Sequence, residues 1–154
     1  MRVSEIFTEI KFFDIAQKYT SDVNKKLETW NNKLKENWEM ANIKLSMNQN
    51  KLTFYSANPN RVDYSLLAGI PIQVLVFNGC KLANLSFIEN MPLEELTLFN
   101  CPVTDLSALK NIKLKYLKLE NGPIKDLSPL ENAELNTLIL KSVAVTSLKP
   151  VLRQ

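Results

Sequence analysis

The stretch LKYLKLENGPIKDLSPLENAE, residues 114–134, decides the fold, because its pattern recurs on both sides at an offset of 21 residues. At that offset, six apolar columns align through four consecutive units. The columns are Ile72, Leu93, Leu114, Leu135; Leu75, Leu96, Leu117, Leu138; Phe77, Leu98, Leu119, Leu140; Leu82, Val103, Ile124, Val145; Leu85, Leu106, Leu127, Leu148; and Ile88, Leu109, Leu130, Val151. Such a period is typical of stacked repeats, in which neighbouring units bury leucines that one unit could not bury alone.

Each unit predicts a strand, a corner, a short helical turn and a second corner. The spacing L-x-x-L-x-L ends in the alternation of a strand with one buried face. A serine column marks the start of the turn: Ser86, Ser107 and Ser128. Ser128-Pro129 predicts Ser as the N-cap and Pro at the first helical position. Four residues on, a column suited to left-handed backbone ends the turn: Gly69, Asn90, Asn111 and Asn132.

The segments LEELTLFNCPVTDLSAL (93–109) and LKYLKLENGPIKDLSPL (114–130) share one pattern, L-x-x-L-x-L-x-x-[NC]-x-[ILV]-x-D-L-S-x-L, with Gly122 replacing Asn or Cys in the second. This pattern resembles the leucine-rich repeat, most closely its short bacterial, internalin-like form, over about residues 52–151. The resemblance implies an α/β solenoid with a parallel inner sheet, short helical turns outside, and a protein-binding role without catalysis. Five units are predicted: 51–71, 72–92, 93–113, 114–134 and 135–154.

Residues 1–50 do not follow the repeat and are predicted to cap its N-terminal end with helices and the first strand of a hairpin. An amphipathic helix beginning near Ser21-Asp22 is indicated by a helical stripe: Val23, Leu27, Trp30, Leu34 and Trp38. An earlier helix is predicted from about Ser4 to Tyr19. The alternation in NIKLSMNQNKLTFYS, residues 42–56, predicts a β-hairpin whose second strand is also the first strand of the repeat sheet.

Two columns have alternative interpretations. Cys80 and Cys101 lie 21 residues apart in the corner column, where we favour two stacked, buried, reduced thiols; a disulfide is the alternative. Asp105 and Asp126, with Asn84 and Ser147 in their column, fit a calcium-binding ladder or, as we favour, side chains that bond the corner backbone.

Composition argues against several classes of function. The chain has 154 residues, no histidine, and a formal charge of +3 spread evenly along its length, so the basic footprint of a nucleic-acid-binding protein is missing. The first residues lack an uninterrupted apolar run, and we expect a cytoplasmic protein. No phosphate-binding glycine loop or metal-spaced cluster occurs, and Glu94-Glu95 is interpreted as solvated charge. We therefore predict no enzyme activity, no cofactor and no metal.

Residues between the ladder leucines are predicted to point away from the core, on the inner sheet face. The predicted columns are Lys51, Val74, Glu95, Tyr116, Thr137; Thr53, Val76, Thr97, Lys118, Ile139; and Tyr55, Asn78, Phe99, Glu120, Lys141. Exposed apolar and aromatic residues on a sheet are candidate anchors for a protein partner, although single exposed apolar residues are common on any protein. The candidate partner-binding residues are Tyr55, Val74, Val76, Glu95, Phe99, Tyr116, Lys118 and Ile139.

The alternative function is a structural or assembly subunit that contacts partners, or a second copy of itself, through the N-terminal helices or the C-terminal edge. After LNTLILKSVAVTSLKPVLRQ no capping segment is recognisable in the sequence. Three explanations stay open: the last unit shields itself through its lysines, a partner or second copy covers it, or the chain is a fragment of a longer protein.

Overall fold

The computed structural model describes residues 21–38 and 42–152, which belong to two compact bodies, residues 1–39 and 40–154. In the first body, residues 21–37 are helical, and the backbone N–H of Trp38 donates to the carbonyl of Leu34 at 2.7 Å. The predicted apolar stripe is the least exposed face of this helix, with Leu34 and Trp38 buried. The amphipathic helix is thus confirmed, whereas the predicted helix over residues 4–19 lies outside the described residues.

Six strands form one sheet in sequence order. They are β1 (Ile43–Asn48), β2 (Lys51–Ser56), β3 (Val74–Asn78), β4 (Glu95–Phe99), β5 (Tyr116–Gly122) and β6 (Thr137–Val143). β1 and β2 are antiparallel and are joined by Gln49 and Asn50, both with positive φ, as two-residue hairpins require. β2 to β6 run parallel. The predicted hairpin and parallel sheet are confirmed.

The parallel strands pair at the 21-residue offset of the sequence, so that Leu75 lies beside Leu96 and Leu117 beside Leu138. The predicted position of β2 is wrong by two residues: Val74 pairs with Thr53 instead of Lys51, and Tyr55 pairs with Val76 instead of Asn78. Side chains alternate with a period of two, so a two-residue shift keeps the same side chains buried, and alternation alone could not detect it.

Four three-residue 3₁₀ turns follow strands β2 to β5: Ser65–Leu67, Ser86–Ile88, Ser107–Leu109 and Ser128–Leu130. Serine is the first residue of each turn and not its N-cap, which corrects the prediction. Each serine N–H donates to a side-chain oxygen two residues earlier at 2.6 to 2.8 Å: Asp63, Asn84, Asp105 and Asp126. The polar column therefore bonds the corner backbone, as predicted, because an Asx turn spans this short distance.

The second corner has two forms. Gly69 and Asn90 have positive φ, as predicted, but Asn111 and Asn132 do not. In the first two turns the residue after the turn, Ala68 or Glu89, is extended (ψ 130° and 131°); in the later two, Lys110 and Glu131 are right-handed helical. Pro71 and Pro92 follow only the first form. The first form therefore occurs in the two repeats that have this proline, and the second form in the two repeats that lack it.

The core lies between the sheet and the 3₁₀ turns. The ladder leucines of β3 to β5 are at most 3% exposed. An aromatic cluster fills the core of the first two repeats: Phe54, Tyr64, Phe77 and the half-buried Phe87, with the Tyr64 and Phe77 ring centres 4.9 Å apart. Each such ring pair stabilises the fold by about 0.5 to 1.5 kcal/mol beyond the contribution from burying its surface. The large side chains thus fix β2 against β3, and the leucines continue the core.

Candidate functional site

The side of the sheet opposite the core forms the inner face, which contains all eight candidate binding residues. It is made by Thr53, Tyr55, Val74, Val76, Asn78, Glu95, Thr97, Phe99, Tyr116, Lys118, Glu120, Thr137, Ile139 and Lys141. These side chains alternate with the buried ladder, so the backbone hydrogen bonds that hold the core also hold them at fixed spacing. The inner face is therefore a rigid array with one side chain from every second residue.

The first half of the inner face is uncharged where β2 and β3 meet. Tyr55 pairs with Val76, and Val74 precedes Val76 by two residues on the same side of β3. Tyr55 is 38% exposed, while Val74 and Val76 are half-buried. These three apolar side chains therefore form a small patch, which Thr53 and Thr97 border and which ends at Lys44 of β1, the partner of Tyr55 on its other side.

The two predicted aromatic anchors, Phe99 and Tyr116, lie further along the sheet. Phe99 is beside Asn78 on one side and Glu120 on the other, and Tyr116 is beside Glu95 and Thr137. Both rings are half-buried, so part of each remains open to contact. The structure therefore places the aromatic residues among polar side chains and separates them from the Tyr55–Val76 pair.

A balanced group of four charges lies where β2 and β4 begin. Lys51 Nζ is 2.6 Å from Glu95 Oε1 and 3.2 Å from Glu94 Oε2, and Lys115 Nζ is 3.1 Å from the same Glu94 oxygen. Hydrogen bonds from Lys115 and then Lys51 lower the pKa of Glu94. Hydrogen bonds to Glu95 and Glu94 raise the pKa of Lys51. Glu94 and Glu95 are therefore ion-paired, which the interpretation as solvated charge did not include.

A second charged group lies at the β5–β6 end. Glu120 Oε1 accepts a hydrogen bond from Lys141 Nζ at 2.6 Å, and Glu120 Oε2 is 2.9 Å from Lys118 Nζ. The Glu120 side chain is only 7% exposed, although it lies on the inner face. Hydrogen bonds from Lys141 and then Lys118 lower the pKa of Glu120, and Glu120 raises the pKa of Lys118. The carboxylate thus fixes two lysines, and only Lys118 was among the predicted site residues.

The two cysteines lie in a buried polar cluster on the core side. Ser56 Oγ and Tyr64 Oη are 2.9 Å apart, and Cys80 Sγ donates to the Ser56 carbonyl at 3.3 Å. Cys80 and Cys101 are 1% and 4% exposed. A hydrogen bond with Cys80, together with burial, raises the pKa of Cys101, and burial raises the pKa of Tyr64. Both cysteines are therefore free thiols in the buried corner predicted for them.

Neither a candidate metal cluster nor a candidate membrane-spanning helix occurs within the described residues. No group of three or more His, Cys, Asp or Glu side chains there could hold a metal ion. No helix in residues 21–38 or 42–152 is long and apolar enough to cross a membrane.

One column that shapes the site was missed from the sequence. A left-handed residue directly follows β3 and β4 and is the second-last residue of β5 and β6: Gly79, Asn100, Asn121 and Ser142. Gly and Asn tolerate positive φ better than other residues, so their alignment at 21 residues was a usable signal.

Comparison with known proteins finds similarity to solved structures. No protein-family model matches the chain, and no curated protein matches it. The crystal structure of an internalin (inlF) from Listeria monocytogenes is similar over 62% of this chain, with 24% identity and a TM-score of 0.47. The match spans 36% of that internalin's own chain.

Proposed function

We propose that this chain is a leucine-rich-repeat solenoid that binds another protein through the inner face of its sheet, without catalysis. The observation that carries the proposal is the apolar side chains held in register on the solvent side of the sheet. Tyr55 is 38% exposed and pairs with Val76, and Ile139 is 37% exposed beside Lys118. Exposed apolar and aromatic side chains on a rigid surface are the usual anchors of protein interfaces.

The other parts have supporting roles in this proposal. The ladder and the 3₁₀ turns set the spacing of the face, while strand β1 of the hairpin extends the sheet beyond the first repeat. The ion-paired groups around Glu94 and Glu120 order long side chains that would otherwise lose conformational entropy on binding. Binding by a preformed face needs neither a cofactor nor a metal, and a cytoplasmic location agrees with the reduced cysteines expected in its core.

The test is partner capture by two matched variants. The purified chain and a Phe99→Lys/Tyr116→Lys variant are used as baits in a lysate of the source organism, and a protein retained by the first is then purified and titrated against both. The control is Val62→Lys/Ala83→Lys, which makes the same change in charge at exposed positions outside the inner face. Circular dichroism establishes that all three chains are folded.

We expect the inner-face variant to lose binding by tenfold or more and the control to bind as the unsubstituted chain does. Equal binding by all three chains would contradict the proposal. If truncation before Val23 then abolished binding, or if the chain alone sedimented as a dimer, the assembly function would replace it.

A further inference from the structure

The inner face has two halves of different chemistry, and the difference identifies the kind of partner segment it fits. The half where β2, β3 and Thr97 of β4 meet presents Tyr55, Val74 and Val76 with two threonines. The charges that border it are Lys44 of β1, which pairs with Tyr55, and Lys51, which is ion-paired with Glu95. The half on β5 and β6 presents Lys118 and Lys141 around Glu120. A partner that covers both halves must meet an apolar surface and a charged surface at once.

The half on β5 and β6 presents a net positive charge to solvent, and this follows from its geometry. Two lysines share one carboxylate, and that carboxylate is 7% exposed, whereas the side chains of Lys118 and Lys141 are 32% and 68% exposed. Each ammonium group has three N–H donors and gives one to Glu120, so donors remain for another acceptor. An approaching molecule therefore meets two ammonium groups and very little of the negative charge.

The other charged group on the sheet differs in this respect. Lys51 and Lys115 face Glu94 and Glu95, so two positive charges meet two negative charges. Lys118 and Lys141 thus carry the positive excess of the part on β4 to β6, and exposed Lys44 of β1 adds a separate positive charge at the opposite edge, beside Tyr55. Ile139 pairs with Lys118 and is 37% exposed, which adds apolar surface at the same place.

We propose that the bound partner is a protein segment that places an acidic side chain between Lys118 and Lys141 and a large apolar side chain on Tyr55, Val74 and Val76. This inference rests on the proposed function and names the chemistry of its ligand. A polyanion such as RNA fits less well, because phosphate recognition rewards concentrated positive charge. Here Lys118 and Lys141 carry one excess charge, and Lys44 is separated from them by the apolar patch.

The strand spacing sets the distance between the two partner residues. The apolar patch is centred between β2 and β3 and the two lysines between β5 and β6, so three strand intervals of about 4.8 Å, roughly 14 Å, separate the two centres. An extended segment that crosses the strands advances about 3.3 Å per residue, which puts the acidic and apolar residues about four positions apart. In a helical segment, which rises about 1.5 Å per residue, they would be about nine positions apart.

The probe is a library of random twelve-residue peptides displayed on phage and selected on the immobilised, unsubstituted chain. We expect the selected peptides to carry Asp or Glu about four positions from a large apolar residue. The Lys118→Gln/Lys141→Gln variant should bind a selected peptide at least tenfold more weakly. Lys110→Gln/Lys113→Gln, which removes two exposed lysines next to the third turn, should leave the affinity unchanged.

A double-mutant cycle ties the acid to the lysines. Changing the peptide's Asp to Asn, or Glu to Gln, should cost about tenfold on the unsubstituted chain and less than twofold on Lys118→Gln/Lys141→Gln. Equal losses on both chains would overturn the inference.

Three other outcomes would also overturn it. Binders without acidic enrichment that still depend on Phe99 and Tyr116 would leave the proposed function intact. Selected peptides that do not depend on the inner face would contradict the inference and the proposed function together, and lysine-dependent binding of single-stranded RNA in place of peptides would identify the ligand as a polyanion.

Discussion

The repeats that contain β4 and β6 share one sequence pattern but differ in burial. Leu98 and Leu106 of the β4 repeat are 3% and 1% exposed, whereas Leu140, in the Leu98 column, is half-buried, and Leu148, in the Leu106 column, is 45% exposed. β4 has a strand on either side, while β6 pairs only with β5 among the described strands. The pattern therefore gives each repeat its shape, and neighbouring repeats supply its burial.

The largest expected effect compares the same leucine in the two repeats. Leu98→Ala should lower the free energy of unfolding by about 3 kcal/mol, because it empties a closed part of the core, and Leu140→Ala by only about 1 kcal/mol. Urea unfolding followed by circular dichroism measures both. Equal losses would contradict the conclusion that burial depends on the neighbouring repeats.

A smaller effect is expected at the corners. Asp105 accepts the Ser107 N–H at 2.7 Å and the Ser107 hydroxyl at 2.9 Å, whereas Ser147, in the same column, accepts the Lys149 N–H at the longer distance of 3.2 Å. Asp105→Ala should therefore cost about 1 kcal/mol of unfolding free energy, and Ser147→Ala clearly less. Thermal unfolding of the two variants in one buffer would show the order, and a reversed order would mean that the last corner is the stronger one.

A still smaller effect of opposite sign is expected at the end of β6. Ser142 has φ 51°, a conformation that glycine adopts without steric cost. Ser142→Gly should raise the unfolding free energy by about 0.5 kcal/mol, since the strain relieved slightly exceeds the added chain entropy. The control, Ala144→Gly, lies two residues on at a position without positive φ and should destabilise. If both substitutions destabilised the protein, the backbone at Ser142 would not be strained.

The smallest effect concerns the ion pairs that connect β5 with β6. Lys141 and Lys118 hold the pKa of Glu120 below its ordinary 4.5, so their stabilisation is present above that pH and is lost as the pH falls through the folded pKa. The stability difference between the unsubstituted chain and Glu120→Gln should be largest above pH 4.5 and shrink at lower pH. The same change at exposed Glu131 serves as the control. A difference that grew on acidification would have the wrong sign for this account.

The leucine ladder and the parallel sheet could be predicted because the period and the alternation of apolar residues are written in the sequence. The register of β2 could not, because a shift by two residues buries the same side chains. The ion pairs were also missed. The Lys51 side chain contacts Glu95 two strands away, and such a contact depends on side-chain rotamers, which sequence spacing does not specify. Glu120 was placed on the inner face correctly, but its burial depends on two lysines from different strands.

Site-specific photo-crosslinking tests the central claim, binding through the inner face, most directly. Cys80 and Cys101 are buried, so a benzophenone maleimide should label an introduced cysteine selectively; the unsubstituted chain controls for this. Thr97→Cys places the probe at the centre of the inner face, and Lys110→Cys places it next to the third turn. Our account predicts that the captured partner crosslinks to residue 97 and not to residue 110; crosslinking at residue 110 alone would contradict it.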